Sequence, residues 1–214
     1  MLFRSESSTG KPHILYIRTG ATYAEVIAQL KEQHIIRNMT SFKLVAEKLH
    51  YNQSVKPGKY ILRGNSGNLM LVRKLRAGSQ DPVKITFNNI QDKEQLAERI
   101  SGQLEASKTE LLSTFNNQAF LDSLNLTEEN FPTIFLANTY EFYWNTSARQ
   151  FIERMLKEYN KFWTEKRKTQ AQSIGLTPTE VIILASIIQK ESNHLDEYPI
   201  IAGVYLNRLK IGMP

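Results

Sequence analysis

The sequence predicts an α+β fold, small strand-helix modules followed by a mainly helical region, and three observations carry that expectation. Two patterns of strand, tight turn and helix with a similar layout occur at 13–34 and 84–104. The strands between them are short and alternate with short helices, and from 147 onward apolar residues recur at helical spacing.

The β-rich run HILYI at 13–17 leads through Thr19 and Gly20 into TYAEVIAQLKEQH, where Tyr23, Val26, Ile27 and Leu30 share a helical face. Thr22 is placed to cap this helix, and Glu25 three positions on completes a capping box. A helix at 40–49, the turn KPGKY, a strand at 59–62 and a helix at 68–76 ended by Gly78 follow. The second pattern has a strand at 84–87, Asp92 as cap, and Leu96, Ile100 and Leu104 on one face; it reads as a diverged repeat of the first.

Residues 106–130 read as helical with polar interruptions. In FPTIFLANTYEFYWNTS, Tyr140, Phe142 and Trp144 share one parity, the period of an extended segment. One long amphipathic helix is expected over 147–173, with Phe151, Met155, Tyr159 and Phe162 as its stripe and Gly175 as its stop.

With no cysteine among 214 residues, disulfides and thiolate nucleophiles are excluded. The four histidines have no ligand spacing, so no metal is expected. A formal charge of +6 and a pI near 9.4 favour an acidic partner, but the cations are dispersed along helical stretches and suit a solvated face. No run approaches the roughly 18 apolar residues of a membrane span. The opening MLFRSESSTGKPH lacks a signal-peptide centre and reads as a junction, while NRLKIGMP stops just after a helical pattern, so a fragment at both ends is expected.

The chemistry concentrates near the C-terminus. GLTPTEV is a strong helix start, with Thr177 as cap, Pro178 at the first helical position and Glu180 closing the box. The helix it opens is apolar on nearly every side and is expected to be central and buried. Leu184, Ile187, Ile188 and Glu191 fall on one face, so Glu191 continues the apolar stripe. Desolvation there would disfavour the charged carboxylate and leave a proton to donate, the profile of a general acid. The plainer alternative is a helix-terminal carboxylate turned outward or paired with Lys190 or Arg208. In the next helix, IIAGVYLNRLKIGMP, Ala202 and Gly203 would permit close approach of a neighbour. Asn207 and Arg208 either orient Glu191 or a sugar, or serve as surface groups.

LASIIQKES followed by IIAGVYLNRLKIGMP closely resembles the signature of the endolytic murein (lytic) transglycosylases, the MltG or YceG-like family, and NTYEFYWNTS resembles the segment ahead of that family's catalytic helix. More weakly, IRTGATYAEVIAQLKEQHII and VKPGKYIL resemble its LysM-like module. The resemblance implies a LysM-like module at 13–80, a second strand-helix module and connector at 81–130, and a lysozyme-like catalytic region at 131–214, truncated at its C-terminal end. It implies an enzyme of the bacterial cell envelope, anchored to the inner membrane by a segment absent here and facing the periplasm. Such an enzyme cuts peptidoglycan glycan strands between N-acetylmuramic acid and N-acetylglucosamine and leaves a 1,6-anhydromuramyl end. Cell-wall synthases or division proteins are further partners it suggests; no cofactor and no nucleic acid are expected.

The family's catalytic glutamate, followed by Ser or Thr, corresponds to Glu191 with Ser192, and an acidic position often seen before it is Gln189 here. Ser192, Asn207 and Arg208 are second candidates as substrate-binding groups, with Tyr140 and Glu141 as candidates for the groove wall. Two other function classes stay open: a noncatalytic peptidoglycan-binding or scaffold protein, and a nucleic-acid binder. The latter lacks a basic cluster with interleaved aromatics.

Overall fold

A computed structural model describes residues 12–63, 66–87 and 92–213; residues 1–11 of the stretch read as a junction and the terminal Pro214 lie outside the described residues. The fold is mixed α+β, with two separate two-stranded antiparallel sheets among ten α-helices in the described residues. Two compact units form. The first comprises the chain to Asn116 together with Ala137–Gln150, the second Asn117–Leu136 and Phe151 onward.

In the first unit, β1 (His13–Ile17) pairs with β2 (Gly58–Leu62), with Leu15 opposite Tyr60. Alternation places Leu15, Ile17, Tyr60 and Leu62 in the core, while Ile14 and Tyr16 stay on the exposed side. The buried face is covered by α1 (Tyr23–Glu32), α2 (Met39–Lys48) and α3 (Asn68–Ala77), which contribute Val26, Leu30, Phe42, Leu71 and Leu75. Thr22 and Glu25 form the expected capping box: Thr22 N–H donates to Glu25 Oε2 at 2.6 Å, and Glu25 N–H to Thr22 Oγ1 at 3.3 Å. Gly78 ends α3 at φ 69°, a left-handed conformation open to glycine. Gly58 sits at φ 140°, a backbone conformation that residues with a side chain rarely adopt, and a Cβ there would also displace the Gln80 side chain.

The second edge of β2 is closed by the segment after α3. Asp81 N–H donates to the Lys59 carbonyl at 2.8 Å, and Asp81 Oδ2 accepts from Ile61 N–H and from Lys74 Nζ, each at 2.7 Å. Partial burial pushes the Asp81 carboxyl up, but the Ile61 and Lys74 hydrogen bonds and the charges of Lys74 and Lys59 outweigh it, so the group sits below its ordinary 3.8. A depressed carboxyl stabilises the fold above its unfolded value and loses that contribution as pH falls through the folded one. Asp81→Asn is therefore expected to cost on the order of 1 kcal/mol near neutrality, discounted for partial exposure. Urea melts from pH 7 to 2 check this: the gap between the two proteins should close below about pH 4.

Further along the first unit, β3 (Val83–Thr86) pairs with β4 (Thr139–Phe142), and Ile85 faces Tyr140. The helices α4 (Lys93–Ser101) and α5 (Lys108–Phe115) pack together through faces that include Leu96, Ile100 and Leu111. Asp92 caps α4 as expected, its Oδ1 accepting from Gln95 N–H at 2.7 Å.

The second unit holds α6 (Gln118–Ser123), a 3-10 turn at Phe131–Ile134, α7 (Ala148–Phe162, which begins in the first unit), α8 (Glu165–Ser173), α9 (Pro178–Glu191) and α10 (Tyr198–Lys210). The single helix expected over 147–173 is two. Thr164 interrupts it as a new N-cap, accepting from Arg167 N–H at 3.4 Å. The Arg167 guanidinium folds back over the Phe162 ring, 4.1 Å from its centroid, and Phe162 at the end of α7 stays partly exposed instead of joining the buried stripe of Phe151 and Met155. The expectation of a buried α9 is also corrected: only Ile188 on it is buried, and Ile183 is 42% exposed. Among the described residues α9 packs on α8, α10 and the Phe131–Ile134 turn, which cannot cover a helix that is apolar around its circumference. Nor does Gly203 admit a close neighbour, since a Cβ built on it meets nothing within 4 Å.

Candidate functional site

The sequence starts α9 with redundant signals. Thr177 N–H donates to Glu180 Oε2 at 2.7 Å while Glu180 N–H donates to Thr177 Oγ1 at 3.3 Å, and Pro178 supplies a preset φ at the first position. The loop after Ser192 then returns the chain so that α10 packs against α9. Glu191 is the last residue of α9, exposed at the end where the two helices meet.

One group reaches it. The Tyr205 phenol, on α10, donates to Glu191 Oε1 at 3.0 Å, and the second oxygen, Oε2, has no hydrogen-bond partner among the described residues. The hydrogen bond to Glu191 raises the Tyr205 phenol above its ordinary 10.0, helped by desolvation and the carboxylate charge, while Arg208 acts the other way. The Arg208 guanidinium lies 5.9 Å from the Tyr205 ring centroid, so Glu191, Tyr205 and Arg208 form a row. The exposure of Glu191 matches the outward-turned alternative and not a place in the buried apolar stripe.

Ser192, the C-cap of α9, faces its own loop: its hydroxyl donates to Glu197 Oε2 at 2.5 Å and accepts from His194 N–H at 3.0 Å. Asn207 is exposed two positions beyond Tyr205 on α10. Tyr140 and Glu141 belong to β4 in the first unit. The Tyr140 ring is buried, 5.6 Å from Phe87, and Glu141 is exposed with one oxygen 4.0 Å from Lys84 Nζ. Among the described residues no three His, Asp or Glu side chains come together as a metal-ligand set.

Sequence reasoning missed Tyr205. The available signal was its place three residues before Arg208, which puts both on one face of α10. If the phenol is held by Glu191, Tyr205 should ionise later than an ordinary tyrosine, and the delay should vanish in Glu191→Ala, which removes the acceptor altogether. Site-resolved NMR of labelled tyrosines reads this directly; identical titrations in both proteins would contradict the hydrogen bond.

The fold and site together define an α+β chain that displays the Glu191 carboxylate, steadied by a phenol, at the junction of two C-terminal helices. The profile of the YceG-like family matches residues 15–214, and the chain belongs to that family. Two relatives carry the name endolytic murein transglycosylase: one from Streptococcus pneumoniae serotype 2, 26% identical over 92% of this chain and 40% of the relative, and one from Bacillus subtilis, 23% identical over 92% and 59%. The chain thus spans about half the length of these relatives. The crystal structure of a YceG-like protein from Listeria monocytogenes has the same fold, with a TM-score of 0.55 at 22% identity over 95% of this chain and 72% of that one.

Proposed function

We propose that this chain works as a lytic transglycosylase of peptidoglycan, with Glu191 as its single acid and base. Family membership and the relatives' names support the reaction class. The observation that carries the residue assignment is the Tyr205 bond to Glu191, which fixes one carboxyl oxygen and leaves the other for substrate.

The reaction needs one carboxyl where ordinary glycosidases use two. Protonated Glu191 gives its proton to the β-1,4 glycosidic oxygen as the bond to C1 of N-acetylmuramic acid breaks. The 6-hydroxyl of the same muramyl ring attacks C1, and the Glu191 carboxylate takes that hydroxyl's proton. The products are a 1,6-anhydromuramyl end and a free 4-hydroxyl on N-acetylglucosamine. No water is consumed, and the proton returns to Glu191. Tyr205 acts through Glu191 as a positioning residue, and Ser192, Asn207 and Arg208 are proposed to meet the sugar or orient the carboxyl.

The same reading takes 13–80 as a LysM-like module, 81–130 as a second module and connector, and 131–214 as the catalytic region of a membrane-anchored envelope enzyme. Exposure of Glu191 favours a second reading, a noncatalytic peptidoglycan-binding or scaffold protein. Purified peptidoglycan incubated with this chain, and with a form extended to the length of its relatives, separates the two. Mass spectrometry should find ends lighter by one water than those of hydrolysis. Binding without such ends in the extended form would leave only the second reading.

A further inference from the structure

A groove of about 510 Å³ opens within the first unit, between the exposed face of β1–β2, the start of β3 and the segment after α4. Its volume falls in the range of small-ligand sites, roughly 300–1,000 Å³. Tyr16 and Trp144 form an aromatic corner, ring centroids 5.0 Å apart and inclined by 54°, and Tyr16 is 39% exposed. Three cations, Arg18, Lys59 and Lys84, line the groove, and no carboxylate does among the described residues. Gln29 and Gln103 add amides.

The cations are scarcely engaged. The Arg18 guanidinium has no hydrogen-bond or ion-pair partner among the described residues, and Lys59 Nζ is 3.5 Å from the Pro82 carbonyl while its charge also acts on Asp81. Lys84 Nζ stands 4.0 Å from Glu141, an exposed pair of little strength. The groove walls, by contrast, are pinned. Glu105 N–H donates to the Trp144 carbonyl at 2.7 Å, and the Glu105 carboxylate accepts from Thr19 N–H at 2.8 Å and Thr19 Oγ1 at 2.6 Å. One residue therefore fastens the loop after β1 to the turn beyond β4 that carries Trp144. Ordering of the site is settled before any ligand arrives.

We propose that this groove is a second saccharide site, built for a glycan strand that carries carboxylates. The apolar C–H face of a pyranose ring packs on the Tyr16–Trp144 corner, the cations meet strand or peptide-stem carboxylates, and the two glutamine amides serve hydroxyl and acetamido groups. Aromatics with cations also suit single-stranded nucleic acid. The glycan is favoured because the corner offers one inclined pair instead of a run of stacking platforms, and because the family's relatives are named for murein. The choice of peptidoglycan as the strand rests on the function proposed above.

The test uses Glu191→Gln protein, so that strands are not consumed, and calorimetry with four probes: soluble peptidoglycan strands with stems, the same strands with amidated carboxylates, neutral N-acetylglucosamine oligomers, and oligo-dT. Arg18→Gln combined with Lys84→Gln should weaken binding of the charged strands about tenfold and leave the neutral oligomers unchanged. Trp144→Phe and Trp144→Ala should weaken both in that order, with thermal melting to show that each variant is folded. Unchanged affinity in the folded variants overturns the site. So does oligo-dT binding that exceeds glycan binding and collapses with salt. Cleavage by the protein with Glu191 intact is scored separately: ends formed without groove-dependent binding remove this site alone, and groove-dependent binding without ends removes the catalytic reading alone.

Discussion

Glu191→Gln is expected to lower the rate at which anhydromuramyl ends form by about 10²- to 10⁴-fold, the usual worth of a general acid or base. The upper part of that range is favoured because in the proposed reaction the same carboxyl serves both proton transfers, so nothing else in the row of Glu191, Tyr205 and Arg208 would substitute. The amide oxygen of glutamine can still accept the Tyr205 hydrogen bond of 3.0 Å, which keeps the geometry and removes only the transferable proton. Glu191 is also exposed, so stability should change by no more than about 0.5 kcal/mol. The rate is measured by mass spectrometry of muropeptides over time and the stability by thermal melting. Cleavage at the wild-type rate would remove Glu191 from the mechanism.

Phe42→Ala should have the largest effect on folding. Phe42 is fully buried on α2, within the cluster that includes Leu15, Ile17, Leu71 and Leu75. Deleting its ring removes apolar burial and leaves a cavity the rigid neighbours fill only in part, about 3–5 kcal/mol in all. Domains hold roughly 5–15 kcal/mol, so the first unit would lose a large share of its stability. Leu44→Ala is the matched control: the same helix, but a side chain 55% exposed, and an expected change within about 0.5 kcal/mol. Urea unfolding followed by circular dichroism checks both; equal midpoint shifts would mean the core lies elsewhere.

Local signals in the sequence translated well into structure. Thr22 with Glu25, Asp92, Thr177 with Glu180, and Gly78 each mark a helix end, because a capping hydrogen bond or a positive φ is a property of a few adjacent residues. The β-rich run HILYI became β1 for the same reason. Features that depend on distant neighbours were less legible. Apolar residues around α9 predict burial only if other elements arrive to cover them, and the described residues bring too few. The break at Thr164 was hidden inside a continuous amphipathic pattern, where one hydroxyl competes with the helix backbone. Glu191 was legible as a conspicuous carboxylate, but its bond to Tyr205 was not: the two lie 14 residues apart across a loop, and the face that Tyr205 shares with Arg208 does not say what comes opposite it.

The pairing of β3 with β4 reaches across 53 residues, from Thr86 to Thr139, and the stretch between them includes Asn117–Leu136, which belongs to the other unit. During synthesis the β1–β2 sheet has both strands once Leu62 has emerged, whereas β3 must wait for Phe142. By then the ribosome has already delivered part of the second unit, so neither unit is completed from one uninterrupted length of chain. Closing so long a loop slows folding, and while it waits β3 offers an unpaired edge to other chains. Nascent chains stalled between these two points should accordingly lean on chaperones more than those stalled after Phe142.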